Sequence, residues 1–432
     1  MHWLLATIML VMQAQAQDEA TITVHHADSL VVRSIAGETI RELIGQVSMQ
    51  QENVRITCDH AIQNISRNSA ELIGNVIIIQ DTLTLKASHA QYDGNDRLAT
   101  CNRGVHLNDG QVTLTADRGM YETSKKIARF YQRVQVDEST VSIFSGQLVY
   151  FRDSSKAIAT EKVLITSKEK NTVITGDSVI HFVKKKISFI PLRPKLWQVD
   201  STVVRRDPTT GKVDSLRLDT LTIVSKSMEA YRDSNARYIA RDSVEIVRSG
   251  LAARCGEGLF HTSDSLVVLR FAPVLWYETN QMTGDSINVQ MRDGAIHFLH
   301  VIGNAFAISK SKPTAKDTGY PRGRFDQSKG KSILMVFHDD EIDSVYILKT
   351  AMRVYYLYDE RALNGVGVES GDQIILSFDA GEPETIKTIG GIEGKYYPEK
   401  MVTGKEETFN LEGFLWRDDR PAKPIHPKEK TK

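Results

Sequence analysis

The hexapeptide Glu42-Leu43-Ile44-Gly45-Gln46-Val47 returns twenty-nine positions later as Glu71-Leu72-Ile73-Gly74-Asn75-Val76, with one substitution. An internal repeat constrains a fold strongly, because each copy must adopt one supersecondary unit and pack against the next. The same step carries Val76 to Val105, Val134 and Val163, and Ala70 to Ala99, Ala128 and Ala157. A second column, Tyr92, Tyr121 and Tyr150, keeps the same period and follows each copy's Val by sixteen, so four or five tandem copies are present.

Between the Val and the Tyr the residues alternate. Leu83, Leu85 and Ala87 share one parity while Thr82, Thr84, Lys86 and Ser88 share the other; Val112, Leu114 and Ala116 repeat this against Thr113, Thr115 and Asp117, and Val141, Ile143 and Ser145 repeat it again. Period two predicts strands with one dry face. Each repeat therefore holds two strands, one around Val76-Ile77-Ile78-Ile79 and one from Leu83 to Tyr92, joined by Gln80-Asp81-Thr82 and Tyr92-Asp93-Gly94-Asn95. Asp, Asn and Gly at those junctions suit tight reversals. Two strands cannot bury an apolar face alone, so the units must stack into a continuous core. The expected fold is all-β, an elongated open β-jellyroll of stacked hairpins.

The formal charge of zero gives no global field to recruit nucleic acid. The apolar run Leu4 to Met12, followed by Ala14-Gln15-Ala16, reads as an export signal over residues 1–16, with cleavage expected and retention as an anchor the alternative. Its n-region has no Lys or Arg. Cys58, Cys101 and Cys255 cannot all pair within the chain. Cys58 shares the column of Ala87 and Ala116, and Cys255 precedes Phe260 by the five residues that separate Ala87 from Tyr92, so buried small-residue packing is expected.

In chain order, Val24 to His26 and Ser29 to Ile35 are expected first strands, and the repeats occupy residues 17–183. Residues 184–215, basic and carrying Pro191, Pro194 and Trp197, read as a loop or excursion from the stack. The pattern resumes over 216–310, where Tyr231 and Phe260 are twenty-nine apart; 311–331 is a second basic loop, 332–416 a β-rich region and 417–432 a disordered basic tail.

Catalytic signatures are absent: the chain has no phosphate-cradling Gly loop, no Gly-x-Ser-x-Gly and no His-Glu-x-x-His. His60 and His89, one repeat apart, read as structural, and the Asp-Ser pairs at 177, 242 and 285 as turn chemistry. No cofactor or metal is expected.

The Ala, Gly-Asn-Val, Leu-x-Leu-x-Ala and Tyr succession resembles the periplasmic lipopolysaccharide-transport family also called organic-solvent-tolerance A-like. It is clearest over residues 41 to 182, recurs at 216 to 309 and fades beyond 332. The resemblance implies a twisted β-jellyroll in the periplasm whose inner face shelters acyl chains of lipopolysaccharide or a related glycolipid. It also implies edge-strand pairing with other transport proteins or with further copies head to tail. The candidate lipid-facing residues are Val76, Ile78, Leu83, Leu85, Val105, Leu107, Leu114, Val134, Val136, Ile143, Val163 and Ile165. The rival readings are a structural or adhesive β-solenoid with a closed core, and a carbohydrate-processing enzyme on a β-helix.

Overall fold

The computed structural model describes residues 21–168, 171–206, 213–292, 295–311, 323–338, 341–360, 362–379 and 382–422. The export segment therefore lies outside the described residues. The chain divides into two compact units, Met1–Ile190 and Pro191–Lys432.

The first unit is a run of antiparallel strands: β1 (Thr23–His26), β2 (Ser29–Ile35), β3 (Glu38–Gln51), β4 (Val54–Asn64), β5 (Ser69–Gln80), β6 (Leu83–Asp93) and β7 (Leu98–Asn108). It continues with β8 (Thr113–Glu122), β9 (Ile127–Asp137), β10 (Val141–Phe151), β11 (Lys156–Ser167), β12 (Thr172–Phe182) and β13 (Ile187–Ile190). From β3 to β13 each strand pairs with its neighbours in sequence, while β1 and β2 both lie along β3. The hairpin stack expected from the repeat is present.

The Gly-Asn step, however, does not precede a strand; it lies in the middle of one. Gly74 and Asn75 have φ of 73° and 43°, and the equivalent pairs Gly45/Gln46, Arg103/Gly104, Gln132/Arg133 and Glu161/Lys162 are also left-handed. Two such residues in succession break the register, as between Ile73 and Val76 against His89 and Ala87, and turn a corner. Gly and Asn tolerate this region best. Each corner thus divides its strand into two halves that belong to two facing walls. The corner also explains the small-residue column, since Val47, Val76 and Val105 face Cys58, Ala87 and Ala116 there. All three cysteines are buried and free, and burial pushes their thiols up, to about 11 for Cys58 and about 12 for Cys101 and Cys255. Asp177 and the left-handed Asp242-Ser243 pair sit within strands, at corners; the turn reading of these residues gives way to a corner reading.

The second unit contains β14 (Lys195–Arg206), β15 (Val213–Val224), β16 (Ser227–Tyr231), β17 (Arg237–Arg248), β18 (Leu251–His261), β19 (Leu266–Arg270), β20 (Val274–Tyr277) and β21 (Asn280–Thr283). Then follow β22 (Ser286–Arg292), β23 (Ala295–Lys310), β24 (Phe325–His338), β25 (Glu341–Asp359), β26 (Ala362–Asp379), β27 (Glu382–Ile389) and β28 (Glu393–Pro398). Corners at Gly303/Asn304 and Lys349/Thr350 again split long strands. One wall runs β18–β20–β21–β23–β24–β25–β26–β28 and the other β16–β17–β18–β19–β22–β23–β24–β25–β26–β27.

Four regions show more structure or different limits than the sequence pattern suggests. Residues 184–215 are not one loop: β13 and β14 occupy much of the span, because the apolar alternation of Leu196 and its neighbours outweighs the basic residues, and residues 207–212 lie outside the described ones. Of 311–331, residues 312–322 lie outside the described ones and 325–331 begin β24. Among the described residues the last strand ends at Pro398; beyond it come α1 (Glu399–Val402), a 3-10 turn at Glu406–Phe409 and an extended run. The start of the expected disordered tail is bound, since Arg417 and Arg420 hydrogen-bond to strand ends, while 423–432 lie outside the described residues.

Candidate lipid-binding interior

The twelve candidate residues all lie in the interior of the first unit, none more than 3% exposed. Cross-strand pairing joins many of them into one line. Met49 faces Ile56, Ile56 faces Ile78, and the line proceeds through Leu85, Leu107, Leu114, Val136, Ile143 and Ile165 to Ile174. An unbroken aliphatic strip therefore runs along the stack axis on the first wall. Val76, Val105, Val134 and Val163 stand at the corners, and Leu83 at a strand end.

The second wall was not among the sequence candidates. It carries Leu72, Ala90, Cys101, Gly119, Phe130 and Leu148, paired in that order, beside the Tyr column. Three small residues, Ala90, Cys101 and Gly119, stand between larger ones and leave room for side chains of the first wall. The Ala70, Ala99, Ala128 and Ala157 column was the available signal for this wall. Because the side chains of both walls are buried, the trough expected from the sequence is filled by the protein's own residues.

Opposite the corners the free ends of the walls meet along a seam. Side chains bridge it with the period of the repeat. Tyr92 Oη donates to Gln51 Oε1 at 2.6 Å, and Tyr121 Oη to Gln80 Oε1 at 2.5 Å. The same glutamines donate from Nε2 to the Gly94 carbonyl at 2.8 Å and the Thr123 carbonyl at 3.1 Å. In the next copy Tyr150 donates to the Asp109 carboxylate. In the fourth, Val179 replaces the tyrosine and His181 takes over, its Nε2 2.5 Å from Glu138 Oε1 and its Nδ1 2.9 Å from Ser188 Oγ. Gln51, Gln80, Asp109 and Glu138 are themselves twenty-nine apart, a column present in the sequence but overlooked beside the more conspicuous tyrosines.

The ladder is dry on its inner side. Gln51, Gln80, Tyr92, Tyr121, Tyr150 and His181 are buried, and burial pushes the Tyr92 and Tyr121 phenols up, as it does Tyr150 with the help of its Asp109 partner. Outside it, ion pairs span the same seam, Arg97 with Glu52 and Arg152 with Asp81 at 3.1 Å. A polar recess of about 210 Å³ lies between successive rungs, lined by Gln51, Glu52, Gln80, Tyr92, Arg97 and Lys126. A larger recess of about 490 Å³, beside corner residues such as Asn102, Gln132 and Glu161, includes none of the twelve candidates. His60 and His89 stand 3.3 and 2.9 Å from Glu42 and Glu71, equivalent pairs one repeat apart.

These walls, corners and seam define the class: an all-β jellyroll of stacked antiparallel hairpins with an apolar interior closed along one side by side chains. Residues 19–177 match the family model described as OstA-like protein. Among solved structures it is similar to that of LptH, the LptA-homologous periplasmic component of the conserved lipopolysaccharide transport device from Pseudomonas aeruginosa. The identity is 12% and the TM-score 0.26, over 34% of this chain and 95% of that one. No curated protein matches.

Proposed function

We propose that this chain is a non-enzymatic periplasmic protein of the lipopolysaccharide-transport type, which shelters acyl chains of lipopolysaccharide or a related glycolipid and helps carry it to the outer membrane. The observation that carries the reading is the aliphatic strip from Met49 to Ile174, bordered by a seam that side chains alone bridge. Moving one fourteen-carbon acyl chain from water to such a wall gains ~10 kcal/mol at ~0.8 kcal/mol per methylene. Opening one rung gives up two hydrogen bonds of about 1 kcal/mol each, together with the packing behind them. Acyl transfer can therefore offset the parting of a few rungs, and lipid would enter by replacing side chains of the facing wall.

The exposed strand β2, with Leu30, Val32 and Ile35 more than half exposed, pairs among the described strands with β3 alone. An apolar edge of this kind templates strand addition, so other transport proteins, or a second copy head to tail, are the proposed partners there. A filled interior also suits the rival reading of a cell-surface scaffold. Photo-crosslinking from Leu85 and Leu114 in cells separates the two: labelled glycolipid adducts support carriage, whereas their absence from every inward position leaves the scaffold.

A further inference from the structure

Residues 399–420 add no strand to the second unit, yet they lie against its apolar interior. Val402 and Leu411 are buried in a cluster with Phe306, Ile308, Val354, Tyr356, Leu363 and Val366, while Phe409, Phe414 and Trp416 pack at its margin. Phe325 packs at a tilt against Phe414 and Trp416, ring centroids 5.2 Å from each, and Tyr397 meets Phe409 edge-on at 5.1 Å.

The direction of this strap is set by its partners. Val402 and Leu411 pack with residues of β25 and β26. Asn410 then accepts from Gln327 of β24 at 2.7 Å, and the Leu415 carbonyl accepts from Gln281 of β21 at 2.6 Å. The Arg417 carbonyl accepts from Trp276 of β20 at 3.3 Å, and Arg420 donates to the Gly250 carbonyl just before β18 at 2.9 Å. The strap thus crosses one wall from β26 to β18, along the stack axis and against the order of the chain. Six steps at ~4.8 Å between strands make about 29 Å, roughly twice the ~15 Å that one leaflet's acyl chains span.

Two buried glutamines hold it. Gln281 and Gln327 are each 1% exposed, and they bond the strap through both ends of their amides, accepting from the Arg417 and Leu411 N–H groups at 2.8 and 2.9 Å. In the first unit, buried glutamines at strand ends bond the opposite wall in the same manner. The strap therefore takes the place that the facing wall takes along the seam of the first unit.

We propose that residues 399–420 are a built-in occupant of an acyl-chain groove in the second unit, displaced when lipid loads. The proposal rests on the acyl-chain reading above. A linear run whose apolar side chains lie along the axis of a dry wall shows the geometry that wall accepts, and a saturated acyl chain satisfies it without backbone groups to pair. Lys329, whose ammonium donates to the Glu412 carbonyl at 2.8 Å, is then available to an anionic headgroup at the groove margin.

The test uses the full chain with a photo-crosslinking residue at Val354 or, separately, at Leu85, and radiolabelled lipid A in detergent micelles. Each is compared with a strap variant carrying Phe409→Ser, Phe414→Ser and Trp416→Ser, whose strand content is checked by circular dichroism. Expected are adducts at Leu85 in both backgrounds, and at Val354 at least tenfold more in the strap variant than in the parent. A synthetic peptide of residues 399–422 added in trans should suppress the Val354 adduct and leave that at Leu85. Val354 adducts that are equal in both backgrounds, or absent from both while Leu85 reacts, would overturn the strap proposal and leave acyl carriage standing. No adduct at either position would overturn both.

Discussion

Replacing Tyr92 by Phe removes one oxygen from the seam of the first unit and little else. The ring is 1% exposed and stays packed; what disappears is the O–H that donates to Gln51 Oε1. Gln51 is 2% exposed, so its carbonyl oxygen cannot exchange that bond for water without the seam parting. Taking a hydrogen bond from a buried acceptor costs ~1–3 kcal/mol. At 1.4 kcal/mol per tenfold, the amides of β5 and β6 should exchange with deuterium roughly 5- to 150-fold faster in Tyr92→Phe if exchange proceeds through opening of the seam. Amides of β11, five strands away, should change far less. A companion Gln51→Met variant completes a double-mutant cycle, and the two losses should be non-additive because both substitutions remove the same Tyr92–Gln51 bond. Exchange in β5 and β6 that is indifferent to Tyr92→Phe would show that the rungs do not hold the walls together.

Three further outcomes follow from the corners, the cysteines and one buried carboxylate. Gly74 and Gly104 share a left-handed φ of 73° and 78°, but an added Cβ at Gly74 would strike the Asp59 carboxylate while that at Gly104 meets open space. Both Ala variants should lose ~1–2 kcal/mol for the backbone, and Gly74→Ala distinctly more, a ranking thermal unfolding can test. With thiols buried and pushed up to about 11 or 12, Cys58, Cys101 and Cys255 should resist maleimide at pH 8 until the chain is denatured; fast labelling of the native protein would contradict their placement. Burial pushes Asp326 up from 3.8 to about 6, although the Tyr356 N–H it accepts and Arg353 pull the other way. A raised folded value means its contribution to stability is complete below pH 4 and is lost as pH climbs through 6, by ~3 kcal/mol at most. Asp326→Asn should therefore flatten the fall between pH 4 and 6 relative to the parent, read by urea unfolding with Trp276 and Trp416 fluorescence; parallel curves would refute the assignment.

The sequence made the strands of the first unit legible because their information is local and repeated. Alternation at Leu83, Leu85 and Ala87 identified the inner face, and the Tyr column identified residues that prove buried to 1–2%. What escaped was set by distance. The partner of Tyr92 lies forty-one residues earlier, at Gln51, and only the fold brings the two ends of the walls together. The Gly-Asn step was visible as punctuation, yet composition could not tell a turn before a strand from a corner within one. In β14, Lys195 and Arg205 masked a strand that its pairing with β15 secures. The strap was least legible of all, since Arg417 and Arg420 find their partners more than 130 residues away.

The two kinds of closure differ in what they cost to undo. In the first unit each rung joins strand ends that are held on both sides by hairpin neighbours, so opening one strains the next. The strap instead is held by single hydrogen bonds and side-chain packing, with no strand ladder of its own. The entropy of ordering its backbone opposes the burial of Val402, Leu411 and the half-buried aromatics, which makes the strap the easier closure to undo. Partial release is then the low-energy opening of the second unit. Brief trypsin treatment of the native chain should accordingly cut first after Lys400, Lys405 or Arg417, before any site in β3 to β12, and a peptide of residues 399–422 added in excess should not slow it, because the tethered strap rebinds at far higher effective concentration. First cuts within β3 to β12 would place the weaker closure in the first unit and remove the physical reason for the strap to act as the movable element.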